Sequence, residues 1–250
     1  MNIYKVKDVK TIENLFIGWE ETMIYSYIQG YMGEAYASED NQSAMIIVGD
    51  FCFLAGIPSE ALLENKVWGE YVIMVPQNKM WNKTIEQVYP NAIKRERYAT
   101  RKDIHYFNID NLKENLSKLP VPYKIKMIDE ELYHQILNES WSSDLCGQFL
   151  TYEQYHKMGV GFVVMEGTDI IAGVSSYTVY KDGIEIEIDT RKDKRRQGLA
   201  RICASQIILE CLNRNLYPSW DAHNQKSLNL AQSLGYVFDK AYLVYEIINK

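Results

Sequence analysis

The chain has 250 residues, 47% hydrophobic and 24% charged, with 27 basic against 33 acidic side chains and a net charge of −6. That length suits two domains of roughly 100–150 residues, and that composition supports a buried core and excludes a disordered chain. The acidic balance argues against a general nucleic-acid binder, which needs a basic face for phosphate.

The opening residues Met1-Asn2-Ile3-Tyr4-Lys5 run into Lys7, Asp8 and Lys10, so no apolar signal segment is read there. No stretch approaches the roughly 18 consecutive apolar residues of a membrane span, and a cytoplasmic chain without membrane contact is expected. Cys52, Cys146, Cys203 and Cys211 are far apart in apolar stretches and read as reduced, buried thiols. His105, His134, His156 and His223 show no ligand spacing, so no metal is expected.

Ile12 to Tyr27 reads as a helix. Ala44–Val48 and Phe51–Ala55 read as strands joined across Gly49-Asp50. Trp68, Trp81 and many tyrosines give this half an aromatic content that reads as core and interface in an α+β domain. No internal repeat is evident. The two prolines of Leu119-Pro120-Val121-Pro122 interrupt any helix or central strand, and the expected domain boundary falls there, giving domains 1–120 and 121–250.

Beyond the seam, Tyr123–Ile128 reads as a strand, followed by helices near Glu130–Asn138 and Ser143–Met158. Phe162–Met165 and Ile170–Tyr180 read as strands on either side of Glu166-Gly167-Thr168-Asp169. Lys181-Asp182-Gly183 is a tight hairpin signal. Ile184-Glu185-Ile186-Glu187-Ile188-Asp189 then alternates, placing isoleucines on one sheet face and carboxylates on the other. A basic stretch leads into Gly198 and a helix to Leu212 that is apolar almost all round and must be buried. A brief strand at Pro218–Ala222, a helix over Gln225–Leu234 ending at Gly235, and closing strands at Tyr236–Phe238 and Tyr242–Ile248 complete the chain.

Arg195-Arg196-Gln197-Gly198-Leu199-Ala200 lies between a strand and that buried helix, where helix-start amides and the helix dipole favour an anion. Gly198 allows close backbone approach and the two arginines add charge, a description that fits a pyrophosphate. The segment resembles the R/Q-x-x-G-x-G/A element of the GNAT N-acetyltransferases, with Arg195, Gly198 and Ala200 at its fixed positions. Asn224-Gln225-Lys226-Ser227, ending at Leu234-Gly235-Tyr236, resembles that family's second cofactor element, and the order of elements over 123–250 is similar as well. Ser219-Trp220-Asp221, Ser227 to Tyr236 and Gln29-Gly30-Tyr31-Met32-Gly33 further resemble the zwittermicin A resistance-type branch.

The resemblance implies the GNAT acyl-CoA N-acyltransferase fold, α/β with a mixed, mostly antiparallel twisted sheet whose central strands, here Ile184–Thr190 and Ser219–Ala222, splay apart. It implies acetyl-CoA as co-substrate, contacted by Ile188, Asp189, Thr190, Arg195, Arg196, Gln197, Gly198, Leu199, Ala200, Asn224 and Ser227. The second substrate would be a small-molecule amine such as an antibiotic or amino-polyol, with the N-terminal domain shaping its pocket. A non-catalytic acyl-CoA-binding module and a peptide or protein acetyltransferase are the alternatives, and a homodimer is compatible with the sequence.

Attack by an amine needs a base, for which Glu185, Glu187 and Asp221 are candidates; the acids equally suit a solvated sheet face. Asn224 suits a helix cap as well as a cofactor contact. The tyrosine general acid implied by the resemblance is replaced by Ala231, with Tyr236, Tyr242 or Tyr245 as substitutes or ordinary core residues.

Overall fold

The computed structural model describes residues 2–248. They divide into two units, one holding the chain up to Arg97 together with the stretch from Ala241 on, the other Tyr98–Lys240. The proline seam is therefore not the boundary. It joins two elements of the second unit, because the helix before it packs on that unit's long buried helix.

The first unit runs β1 (Ile3–Lys5), α1 (Thr22–Ile28), β2 (Glu34–Ser38), β3 (Ser43–Val48), β4 (Phe51–Gly56), α2 (Glu60–Glu64), β5 (Tyr71–Pro76), α3 (Lys79–Val88) and the first part of β6 (Ile93–Thr100), whose last three residues begin the second unit. The hairpin across Gly49-Asp50 is as expected, with Gly49 left-handed at φ 57°. The helix expected over Ile12–Tyr27 is only its last part. Gly18 at φ 77° breaks the run, and short 3-10 turns at Val9–Thr11 and Glu13–Phe16 precede it.

The second unit runs α4 (Ile109–Ser117), β7 (Lys124–Met127), α5 (Glu130–Leu137), α6 (Tyr152–Met158), β8 (Gly161–Glu166), β9 (Asp169–Tyr180), β10 (Gly183–Thr190), α7 (Leu199–Asn213), β11 (Tyr217–Ser219) and α8 (Gln225–Ser233). The helix expected over Ser143–Met158 is interrupted: a 3-10 turn at Ser143–Leu145 ends it, and Thr151, capping the amide of Gln154, restarts it. Gly235 ends the α8 segment at φ 112°, as its position suggests. The two closing strands are one, β12 (Phe238–Ile248), which leads into the first unit and pairs with β5.

The sheets are β1-β2-β3-β4-β5-β12-β6 and β11-β10-β9-β8-β7. Each contains the same series, a strand, a helical segment, three antiparallel strands, a helix and a strand parallel to the last of the three. The expectation of no repeat is corrected at the level of connectivity. Two halves of unlike sequence follow one path, since a sheet constrains alternation and turns far more than residue identity.

The copies differ where the parallel strand joins. In the first, β4 and β5 pair from Phe51↔Ile73 to Leu54↔Pro76, and Gln77 continues the ladder by donating its N–H to the Leu54 carbonyl at 3.0 Å. The Trp81 indole donates to the Gly56 carbonyl at 3.1 Å, and Ser59 caps the five-residue α2. In the second, β10 and β11 pair only at Gly183↔Tyr217, Ile184↔Pro218 and Glu185↔Ser219. Beyond Glu185 the strands part.

Candidate active site

The parting has a local cause. After Ser219 the chain is drawn to the last residues of β6: Tyr98 and Ala222 exchange backbone hydrogen bonds at 3.0 and 2.9 Å, and the Thr100 hydroxyl donates to the Trp220 carbonyl at 2.8 Å. On the other side the Glu185 carboxylate accepts the Asp221 N–H at 2.8 Å, in place of a β10 carbonyl. A side chain therefore stands between the strands at the point where their ladder ends. A register shift between Glu185 and Ile186 bends β10 at the same place.

Beyond it, β10 has an unpaired edge. Arg191 donates to Ile171 on β9, so alternation along an antiparallel strand turns the amides of Ile188 and Thr190 away from β9, toward the gap. There the Glu187 carboxylate accepts from the Ile188 amide at 3.1 Å and Asp189 from the Thr190 amide at 2.6 Å. Two strand donors are thus covered by half-exposed carboxylates rather than by a strand.

At the far end of the gap α7 begins. It is buried through Ile202, Cys203, Ala204, Ile207, Ile208 and Cys211, as its apolar sequence requires. Its N-cap is Gly198, at φ 81° and without a capping side chain, so the amides of Leu199, Ala200 and Arg201 precede the first helical bond, Ile202 to Gly198 at 3.2 Å. Arg196, two residues earlier, is also left-handed at φ 66°, a conformation that costs a non-glycine residue about 1–2 kcal/mol. Surrounding bonds hold it. Arg195 donates to the Thr190 carbonyl at 2.9 Å and reaches Asp189 at 3.4 Å, while Lys194 pairs with Glu166 at 2.6 Å.

These elements line a cleft of about 650 Å³. Ile188 to Thr190, Arg195 to Ala200, Asn224 and Ser227, all the residues expected to contact a cofactor, are brought together on its wall. Asn224 caps α8 by accepting the Ser227 amide at 3.0 Å, and the Ser227 hydroxyl accepts the Trp220 indole N–H at 3.0 Å. Trp220 is both wall and core. The wall also holds Asn115, Lys118, Lys194, Arg201 and Lys226, which sequence reasoning passed over. Asn115 and Lys118 belong to or follow α4, ahead of any recognisable pattern.

The carboxylates expected to act in catalysis do not line this cleft. Glu185 is buried at 6% exposure on the last paired position of β10; Glu187 and Asp221 are half-buried. The strand pattern is only partly the solvated face it resembled: Ile186 and Ile188 pack toward the α7 core, but Glu185 is not in water. Of the tyrosines, Tyr236 donates to the Pro218 carbonyl at 2.6 Å within the core, where burial holds its hydroxyl well above the usual pKa. Tyr245 sits in the first unit with its hydroxyl on Glu86 at 2.6 Å, and Tyr242 also belongs there. Ala231 is fully buried beside Trp220 and Tyr236, so packing fills the position where a tyrosine was expected.

The arrangement suits an extended acyl chain ending in phosphates. A strand edge pairs with amides, a three-amide helix start receives an anion, and an ideal Cβ on Gly198 would meet no protein atom within 4 Å. The Thr190 hydroxyl, buried at the cleft wall, has no hydrogen-bond partner. Among the described residues no helix is long and apolar enough to cross a membrane.

A model of the GNAT acetyltransferase family matches residues 13–245. The uncharacterized N-acetyltransferase YdfB of Bacillus subtilis is 24% identical over 237 residues, covering 90% of this chain and 89% of that protein. The crystal structure of a GCN5-related N-acetyltransferase-like protein from Streptococcus suis is 43% identical, covers 95% of this chain and 97% of its own, and superposes with a TM-score of 0.91. A tandem GNAT protein of the clavulanic acid biosynthesis pathway shares the fold at a TM-score of 0.60 and 9% identity, over 99% of this chain and 98% of its own. The chain belongs to the GNAT acetyltransferase family and is an acyl-CoA-dependent N-acetyltransferase.

Proposed function

We propose that the acyl donor is acetyl-CoA and the acceptor a primary amine of a small molecule, with the site in the gap between β10 and β11. The observation that carries this reading is the ladder that stops at Glu185↔Ser219 and opens toward the uncapped start of α7. On this reading the amides of Ile188 and Thr190 exchange their carboxylate partners for carbonyls of the pantetheine arm. The amides of Leu199 to Arg201 receive the pyrophosphate. Unpaired β10 backbone near Ile186 polarises the thioester carbonyl. Glu185 takes the proton from the attacking nitrogen as the C–N bond forms and the C–S bond breaks. The leaving thiolate has a conjugate-acid pKa of about 8.5, like cysteine, and departs without the missing tyrosine.

The acceptor class rests on the resemblance of Ser219-Trp220-Asp221 and Gln29 to Gly33 to the zwittermicin A resistance-type branch, which favours an amino-polyol or aminated antibiotic. The test is release of CoA thiol on mixing acetyl-CoA with a panel of such amines, read with a thiol reagent. Background from the protein should be low: all four cysteines are buried, and burial pushes Cys146, Cys203 and Cys211 up to about 12. Amine-dependent release supports the reading. Acetyl-CoA binding without release to any amine in the panel, or to peptides only, contradicts it.

A further inference from the structure

The cleft carries more positive charge than a pyrophosphate needs. Its wall holds Lys118, Lys194, Arg195, Arg196, Arg201 and Lys226 in a chain whose net charge is −6; Glu114, Glu166 and Asp189 pair with the first three, and Arg196, Arg201 and Lys226 add three further cations. Two of these cations occupy positions that a helix by itself disfavours. Arg201 and Lys226 lie in the first turns of α7 and α8, where the dipole repels positive charge and neither helix offers an acid. The other helices of this unit follow the opposite rule: α4 begins with Asp110, α5 with Glu130 and Glu131, and α6 with Glu153. Two helix starts and their misplaced cations thus converge on one space. Such a placement is stable when an anion completes it.

The wall includes a part that precedes both cofactor motifs in the chain. α4 lies against α7, tied by the Asn115 amide donating to the Ser205 hydroxyl at 3.1 Å, and both residues are buried. Lys118 follows three residues later, one helical turn along, and reaches the same cleft as Lys226. Its ammonium pairs with Glu114 at 2.8 Å, an exposed contact that is exchanged for a phosphate at little cost.

We propose that Lys118 and Lys226 form a second phosphate subsite, which takes the 3′-phosphate on the ribose of CoA and makes the protein discriminate CoA from the same molecule without that phosphate. The proposal rests on the assignment of the cleft to an acyl-CoA.

The test is calorimetric titration of CoA and of dephospho-CoA into the wild type and into the Lys118→Gln, Lys226→Gln double variant. The wild type should bind CoA about tenfold more tightly than dephospho-CoA, the effect of one or two partly screened charge-assisted contacts. In the double variant CoA affinity should fall to the dephospho-CoA value, while dephospho-CoA binds as before. The preference should also shrink as salt is raised. Equal wild-type affinities for the two ligands overturn the subsite and leave the cofactor assignment standing. Equal weakening of both ligands in the variant overturns it too, since that is the mark of a general loss of cleft structure. Binding of neither ligand to the wild type overturns the cofactor assignment itself and the subsite with it.

Discussion

Glu185→Gln should lower kcat by about 10²–10⁴-fold while leaving acetyl-CoA affinity and thermal stability close to wild type. The amide keeps an oxygen that can accept the Asp221 N–H now held at 2.8 Å, so the strands still part where they do. What is lost is a group able to take a proton. Glu187→Gln should cost much less, because that carboxylate rests on its neighbour's amide at 3.1 Å and is displaced when the gap fills. Glu185→Ala separates the two duties. It removes the bridge to Asp221 as well as the base, so cofactor affinity and melting temperature should fall together with turnover. Steady-state kinetics beside titration calorimetry read all three variants. A Glu185→Gln enzyme with wild-type kcat sinks the assignment of the base, and a Glu187→Gln enzyme with the larger loss transfers it.

Gly198→Val should abolish useful cofactor binding without unfolding the protein. At φ 81° a branched side chain costs about 1–2 kcal/mol of backbone strain, or a few degrees in melting temperature for a chain of this size. No further clash is expected in the free protein, since an ideal Cβ meets nothing within 4 Å. The added methyls occupy the space through which a phosphate reaches the amides of Leu199 to Arg201. Loss of two charge-assisted hydrogen bonds corresponds to a fall in affinity of about 100-fold or more. Titration of acetyl-CoA, with a melting curve as control, decides the matter; near-wild-type affinity in a folded Gly198→Val protein contradicts the phosphate site.

Much of the second unit is legible in its punctuation. Gly198 starts α7 at φ 81° and Gly235 closes the α8 segment at φ 112°, where few other residues tolerate the backbone, and Gly183 opens β10 where a Cβ would run into the Tyr217 carbonyl. The cleft wall at Arg195 to Ala200 is legible through its two arginines and Gly198 placed ahead of an apolar helix. What local sequence does not hold is partnership. The alternation in Tyr242–Ile248 announces a strand, but not that it pairs with Met74 and its neighbours in the other sheet. Nor does anything at Tyr98 announce the bridge to Ala222 that draws the chain away from β10. The contribution of α4 is hidden similarly: Asn115 and Lys118 matter through α7, about ninety residues away in sequence. The repeated connectivity is invisible because the two halves keep only its pattern. Where α7 has fifteen residues and an open start, α2 has five and a serine cap.

On the proposed reading, one of two like-connected sheets is open to hold an acyl-CoA and the other is closed. Hydrogen–deuterium exchange with and without acetyl-CoA tests it most directly. Slowed exchange is expected in peptides covering residues 186–203, which carry the β10 edge and the first turn of α7, and in the start of α8 at Asn224 to Ser227. The equivalent stretch of the first unit, residues 51–64, should exchange at the same rate in both conditions. Protection of residues 51–64, or acetyl-CoA binding that leaves residues 186–203 unprotected, would contradict the assignment of the cofactor to the gap between β10 and β11.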